Sequence, residues 1–229
     1  MLERLGLFVF VGLIAGCGGV SEEEHASVQS EVKSLRNDLT LTQRKLAEAE
    51  ARVQVVSDRF GSLVQKLKGV KARIKTNLGD MEAEFYPEKA PVHCFNFITR
   101  AESGFYDGTV FHRVIEGFMI QGGDPLSKDG DPSNDGSGGP IVSIPHEFND
   151  IKHTKGILSM ARVSDKRAGA GSQFFVMHDR NPNLDGQYTV FGKVVDGLDV
   201  VDKIATTKTT KPGDRPVKAV VISTIEVYR

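Results

Sequence analysis

The chain contains no tryptophan and only two cysteines, Cys17 and Cys94, in 229 residues. So few thiols, so far apart, exclude a disulfide framework. No apolar run approaches the roughly 20 residues a helix needs to cross a bilayer. Charge of either sign is not in surplus: 29 basic residues face 30 acidic ones, for a net charge of −1. Nucleic-acid binders need a basic excess to neutralise phosphates, so that class is excluded. The six histidines show no His-x-x-x-His spacing and no carboxylate pattern beside it, so no metal site is expected. A glycine-rich stretch at 122–140 lacks the Gly-Lys-Ser/Thr of a phosphate cradle and reads as a long surface turn. No cofactor is implied.

Leu5 to Gly16 is apolar or glycine throughout. That length fits the core of a secretion signal, with Arg4 and the amino terminus as its positive start. The run ends Ile14-Ala15-Gly16-Cys17, which resembles the bacterial lipobox. The expected organisation is a signal peptide at 1–16, an acylated tether at 17–24 beginning on Cys17, a stalk at 25–69 and a folded domain at 70–229. The expected location is the bacterial cell envelope, lipid-anchored on its periplasmic or extracellular face. Gly18, in place of aspartate after Cys17, resembles outer-membrane sorting in a host with two membranes.

With His25 as heptad position a, the a positions continue Val32, Leu39, Leu46, Val53, Phe60 and Leu67. The d positions are Val28, Leu35, Thr42, Ala49, Val56, Leu63 and Val70. All but His25 and Thr42 are apolar, no proline interrupts them, and the positions between are mostly charged or polar. This is the pattern of a left-handed coiled coil. One helix cannot bury such a seam alone, so a second copy is the simplest partner, making residues 25–69 a route to a homo-oligomer. A lone tether is the alternative. A helix of about 45 residues would reach roughly 65–70 Å, enough to hold a domain off a membrane.

Near Gly69 the pattern changes to short apolar or alternating runs separated by Gly, Pro, Asn and Asp. Val70–Thr76 and Met81–Phe85 flank Asn77-Leu78-Gly79-Asp80 as a hairpin. Further strands are expected at Val110–Arg113, Phe118–Gln121, Gly156–Ala161, Gln173–Met177, Thr189–Val194 and Val217–Tyr228. Pro91 opens a helix whose apolar face is read as Val92, Phe95, Ile98 and Ala101, and Gly104 ends it. Leu198–Ile204 is a second short helix. Many strands with two helices suggest a closed barrel. Cys94 reads as an inert small hydrophobe, and Asp179 and Asp185 as turn caps. Phe111, Phe174 and Phe191 read as core.

Two stretches combine a fixed donor with large apolar side chains. Residues 111–124 hold Arg113 and Gln121 among Phe111, Phe118 and Met119, and residues 171–177 hold Gln173 beside Phe174 and Phe175. That composition suits a small apolar pocket with one permanent charge at its rim.

These stretches, with Gly156-Ile157-Leu158-Ser159-Met160-Ala161, Leu184-Asp185-Gly186 and Val190-Phe191-Gly192, resemble the cyclophilin-type peptidyl-prolyl isomerases in order and rough spacing from about residue 72 onward. The resemblance implies a mainly β fold: an eight-stranded antiparallel closed barrel capped by two helices, with an active groove on its outer wall. It implies Arg113 as the catalytic arginine. It implies walls of a proline pocket in Phe118, Met119, Phe175 and Leu184, and a pocket-floor amide in Gln121 that orients the arginine and the substrate backbone. Ala161, Arg162 and Gln173 match the strip that receives residues before the proline. His112 is a neighbouring family position, and Tyr188 stands where many relatives carry histidine. Arg162 and Val163 replace smaller, neutral residues, which implies an altered preference before the proline.

An X–Pro bond resists rotation by ~18–20 kcal/mol and isomerises unaided over tens to hundreds of seconds. A guanidinium aimed at the twisted nitrogen favours the transition state over the planar amide. The implied partners are proline-containing polypeptides, among them folding exported proteins. The rival reading is an adaptor whose groove docks proline segments without turnover.

Overall fold

The computed structural model describes residues 21–139, 143–165 and 168–229. The signal peptide, Cys17 and the first half of the tether expected above (17–20) lie outside the described residues. The chain divides into two units, Met1–Val56 and Ser57–Arg229. Among the described residues no helix is long and apolar enough to cross a membrane.

In the first unit, Ser21 caps the start of helix α1 (Glu22–Leu67): Glu24 N donates to Ser21 Oγ at 3.2 Å, and Ser21 N donates to the Glu24 carboxylate at 3.0 Å. This reciprocal pair is a capping box. Glu22, Glu23 and Glu24 in the first turn complement the helix dipole. Every described residue of the first unit is exposed.

The second unit begins in the last turns of α1, where Leu63 and Leu67 pack into its core. Its strands are β1 (Lys71–Thr76), β2 (Gly79–Phe85), β3 (Arg113–Ile115), β4 (Met119–Gly122), β5 (Ile157–Arg162), β6 (Ala170–Met177), β7 (Val190–Asp196) and β8 (Ile222–Tyr228). They form one antiparallel sheet in the order β3-β4-β6-β5-β7-β2-β1-β8. Helices α2 (Pro91–Glu102) and α3 (Leu198–Ala205) pack against it.

The expected closed barrel is corrected to a curled, open sheet. Its edges are β3 and β8, and no ladder joins them. The strand expected at Val110–Arg113 is not there: Val110 makes only an isolated bridge to Val221, and β3 starts at Arg113. The reason is backbone pairing. Phe111 N donates to Val220 O at 2.9 Å and Val114 N to Asp214 O at 2.8 Å, so irregular chain ahead of β8 occupies the seam.

The apolar face of α2 is also corrected. Cys94, Phe97, Ile98 and Ala101 are buried, whereas Phe95 is 48 % exposed. Two stripes were available, and the aromatic core selects the one carrying Phe97. Its ring lies 5.2 Å from Phe174, 5.3 Å from Phe191 and 5.1 Å from Tyr106. Such pairs add about 0.5–1.5 kcal/mol each beyond area burial. The N-cap position of α2, Ala90, offers no side-chain acceptor. Glu147 supplies one from a distance: its carboxylate accepts from Val92 N, His93 N and His93 Nδ1 at 3.1, 2.9 and 2.7 Å.

Candidate active site

Strand pairing lines up the site. Arg113 on β3 faces Gln121 on β4, Gln121 faces Phe175 on β6, and Phe175 faces Ser159 on β5. Residues directly opposed across strands share a face. Their neighbours Val114, Ile120, Phe174 and Leu158 point the other way into the main core. The sheet thus has a second, outer apolar cluster built on Met119, Ile157, Phe175, Met177 and Val190. Phe118, Ala161, Leu184 and Tyr188 pack on it, each only partly buried. This cluster floors a cleft of about 710 Å³ on the outer wall.

Arg113, His112, Phe118, Met119, Gln121, Phe175, Leu184, Tyr188, Ala161 and Arg162 all line that cleft. Gln173 lines an adjoining cavity of about 420 Å³ that shares Gln121, Ala161 and Arg162. The sequence-expected residues therefore converge. Phe111, Phe174 and Phe191 are fully buried.

Arg113 is exposed, and among the described residues nothing accepts a hydrogen bond or ion pair from it. Gln121 does not hold it. Instead Gln121 Nε2 donates to Gln173 Oε1 at 3.0 Å. Gln173 Nε2 donates onward to Gly136 O at 3.0 Å and Gly138 O at 2.7 Å. The orientation of Gln121 is thus set by β6 and the 130s loop, and its Oε1 is left as an acceptor.

Arg162 is held over Tyr188, its guanidinium carbon 4.5 Å from the ring centroid. Its Nε donates to Gln187 O and its Nη1 to Val163 O, both at 2.9 Å. Tyr188 meets Phe175 edge-on at 5.6 Å. Among the described residues no carboxylate pairs with Arg162, so a cation stands in the wall between the two cavities.

The glycine-rich loop, read from sequence as a plain surface turn, is part of the site. Pro132, Asp135, Gly136 and Ser137 line the cleft. Buried Asp124 organises them: its carboxylate accepts from the backbone N–H of Leu126 at 2.8 Å, of Gly136 and of Gly138 at 3.1 Å. A Cβ on Gly138 would overlap the Asp124 carboxylate, so that position needs glycine. Asp135 forms an ion pair with Arg215, and Arg215, Thr210 and Pro212 line the far wall. None of these was foreseen; the Gly-Gly-Asp-Pro run was the available signal.

His112 is 5 % exposed, and among the described residues neither ring nitrogen meets a hydrogen-bond partner. Burial holds its pKa below the ordinary value, with Asp124 opposing and Arg215 and Arg113 assisting. Under the floor, His153 stacks on Phe175 at 6.1 Å. Its Nδ1 lies 3.2 Å from Asp185 and its Nε2 3.0 Å from Ser159 Oγ. Burial lowers the His153 pKa against the pull of Asp185. The three resemble a nucleophilic triad in order, but Ser159 has no exposure, so no substrate reaches its hydroxyl. Asp185 is therefore more than a turn cap: it also accepts from His153 N at 2.9 Å. Asp179 accepts from Arg180 N at 2.7 Å. Cys94 donates to Phe191 O at 3.3 Å, and burial pushes its thiol pKa up. No group of three or more His, Cys, Asp or Glu able to hold a metal occurs among the described residues.

A model of the family described as cyclophilin type peptidyl-prolyl cis-trans isomerase/CLD matches residues 71–227. The chain is 40 % identical over 161 residues to the peptidyl-prolyl cis-trans isomerase CYP18-1 of Arabidopsis thaliana, covering 68 % of this chain and 94 % of that one. It is 40 % identical over 144 residues to a peptidyl-prolyl cis-trans isomerase of Synechococcus elongatus, covering 63 % and 90 %. It spans only 27 % of the longer peptidyl-prolyl cis-trans isomerase-like 2 of Cryptococcus neoformans. Among solved structures, a Cryptosporidium parvum cyclophilin-type isomerase in the presence of the dipeptide Ala-Pro superposes with a TM-score of 0.63 at 35 % identity, covering 69 % of this chain and 99 % of that one. The chain belongs to the cyclophilin-type peptidyl-prolyl cis-trans isomerases.

Proposed function

We propose that Arg113 is the catalytic group of this isomerase and that the outer cleft is where X–Pro bonds turn. The carrying observation is the row Arg113–Gln121–Phe175: a guanidinium unpaired among the described residues, an oriented amide and an aromatic wall on one face of three strands. The proline ring sits against Met119, Phe175 and Leu184, with Phe118 and Tyr188 at the sides and His112 behind. Gln121 Oε1 accepts from a substrate N–H. The strip at Ala161, Arg162 and Gln173 receives the residues before the proline. The guanidinium is permanently charged and its fork is rigid, so it meets the nitrogen lone pair that twisting localises. The dipeptide named with the Cryptosporidium parvum relative supports a proline ligand for this cleft.

The substrates proposed are exported proteins in the envelope. Support comes from the apolar run Leu5–Gly16 ending on Cys17, whose acylation would tether the chain. The heptad seam supports self-association of the stalk. Exchange NMR of a proline-containing peptide tests the site: catalysed line broadening between cis and trans is expected, whereas saturation without broadening would make the cleft a docking groove. Detergent-phase partitioning tests the tether: the chain is expected in the detergent phase and Cys17→Ser in the aqueous phase, and no difference would remove the anchor.

A further inference from the structure

We infer that the exposed seam of α1 pairs with a second copy of this chain in antiparallel fashion, residues 24–59 of one against residues 59–24 of the other. This deepens the self-association proposed above and rests on it.

Among the described residues nothing covers the seam. Its large apolar residues from Val28 to Val56 are between 40 % (Val32) and 68 % (Val53) exposed along a continuous helix. Leu63 and Leu67 already serve the core of the second unit, so the free seam ends before them.

Charge decides the direction. With His25 at position a, the g row reads Glu24, Glu31, Asp38, Lys45, Arg52, Arg59. Its first half is acidic and its second half basic. In an antiparallel pair, g residues face g residues of the partner. Glu24 then meets Arg59, Glu31 meets Arg52 and Asp38 meets Lys45, each contact occurring twice by symmetry. The e row brings Gln29 to Glu50 and Arg36 to Gln43, with no like charges opposed. A parallel pair sets g against e of the next heptad and yields only Glu31–Arg36 and Lys45–Glu50.

Volume points the same way. Parallel packing stacks Thr42 on Thr42 and Ala49 on Ala49, two weak layers in mid-seam. Antiparallel packing in this register sets a against d: Leu39 on Thr42, Val32 on Ala49, Leu46 on Leu35, Val53 on Val28 and His25 on Val56. Thr42 and Ala49 each gain a larger apolar partner, which fills those layers, and His25 meets the apolar Val56.

The test uses the full chain carrying Cys17→Ser; Cys94 is buried. Single variants Val28→Cys and Val53→Cys are oxidised mildly, alone and after co-expression. The expected result is a covalent dimer from the co-expressed pair and none from either variant alone. Val53→Cys linking to itself would overturn the orientation and leave self-association standing. A monomer by light scattering, with no linkage in any sample, would overturn both. As a second readout, Glu31→Arg should weaken the dimer about tenfold, and adding Arg52→Glu should restore it; a loss that Arg52→Glu deepens would contradict the register.

Discussion

Gln121 and Gln173 are tied amide to amide, the Nε2 of the first donating to the Oε1 of the second at 3.0 Å. Because Gln173 Nε2 is spent on Gly136 O and Gly138 O, one side chain fixes both the pocket amide and the loop that walls the cleft.

Gln173→Ala removes all three bonds. The expected loss in kcat/KM is about tenfold or more, since small misplacements near the reacting bond are costly. Gln173→Glu should be no better, because a carboxylate would face two carbonyl oxygens with nothing to donate. Coupled-protease or exchange kinetics on the two variants check this; a fully active Gln173→Glu would contradict the latch.

Phe97 should matter to stability and not to turnover. It is fully buried at the centre of the aromatic cluster, away from the cleft. Phe97→Ala is expected to cost about 3–5 kcal/mol in denaturant unfolding, with activity per folded molecule preserved.

Stability should decline as pH falls through about 6.5. His112 and His153 both have pKa values lowered from 6.5 by burial. Below that value the unfolded chain binds protons that the folded chain refuses, so acid favours unfolding. Thermal melts from pH 7.5 to 5 check the trend. In His112→Asn the decline should be shallower, and an unchanged slope would mean that His112 takes up its proton while the protein stays folded.

Arg162 should set a preference before the proline. A cation in the wall, with no carboxylate partner among the described residues, attracts an acidic substrate residue; at about 4 Å in water such a contact is worth about 1 kcal/mol, or roughly fivefold in kcat/KM. Peptides with Glu or Lys preceding the proline should be ranked in that order by the native chain and be equal for Arg162→Ala.

Much of the second unit was legible because strand alternation and turn residues are local signals. The hairpin at Asn77-Leu78 and the outer-face residues Met119, Gln121 and Phe175 follow from them. What escaped is non-local. Phe95 and Phe97 sit on rival helical stripes, and only the rings of Phe174 and Phe191 choose between them. The open seam depends on Phe111 and Val114 meeting chain about a hundred residues away. Asp124 and Arg215 join the site through a loop and an irregular segment that carry no periodicity.

Stabilisation of the twisted amide by the Arg113 guanidinium underlies the proposed catalysis. It is tested most directly by Arg113→Ala in exchange NMR on one proline peptide, with peptide affinity measured in the same samples. The catalysed cis–trans rate is expected to fall about 10²–10³-fold, far exceeding any change in affinity. A catalysed rate equal to that of the native chain would contradict it.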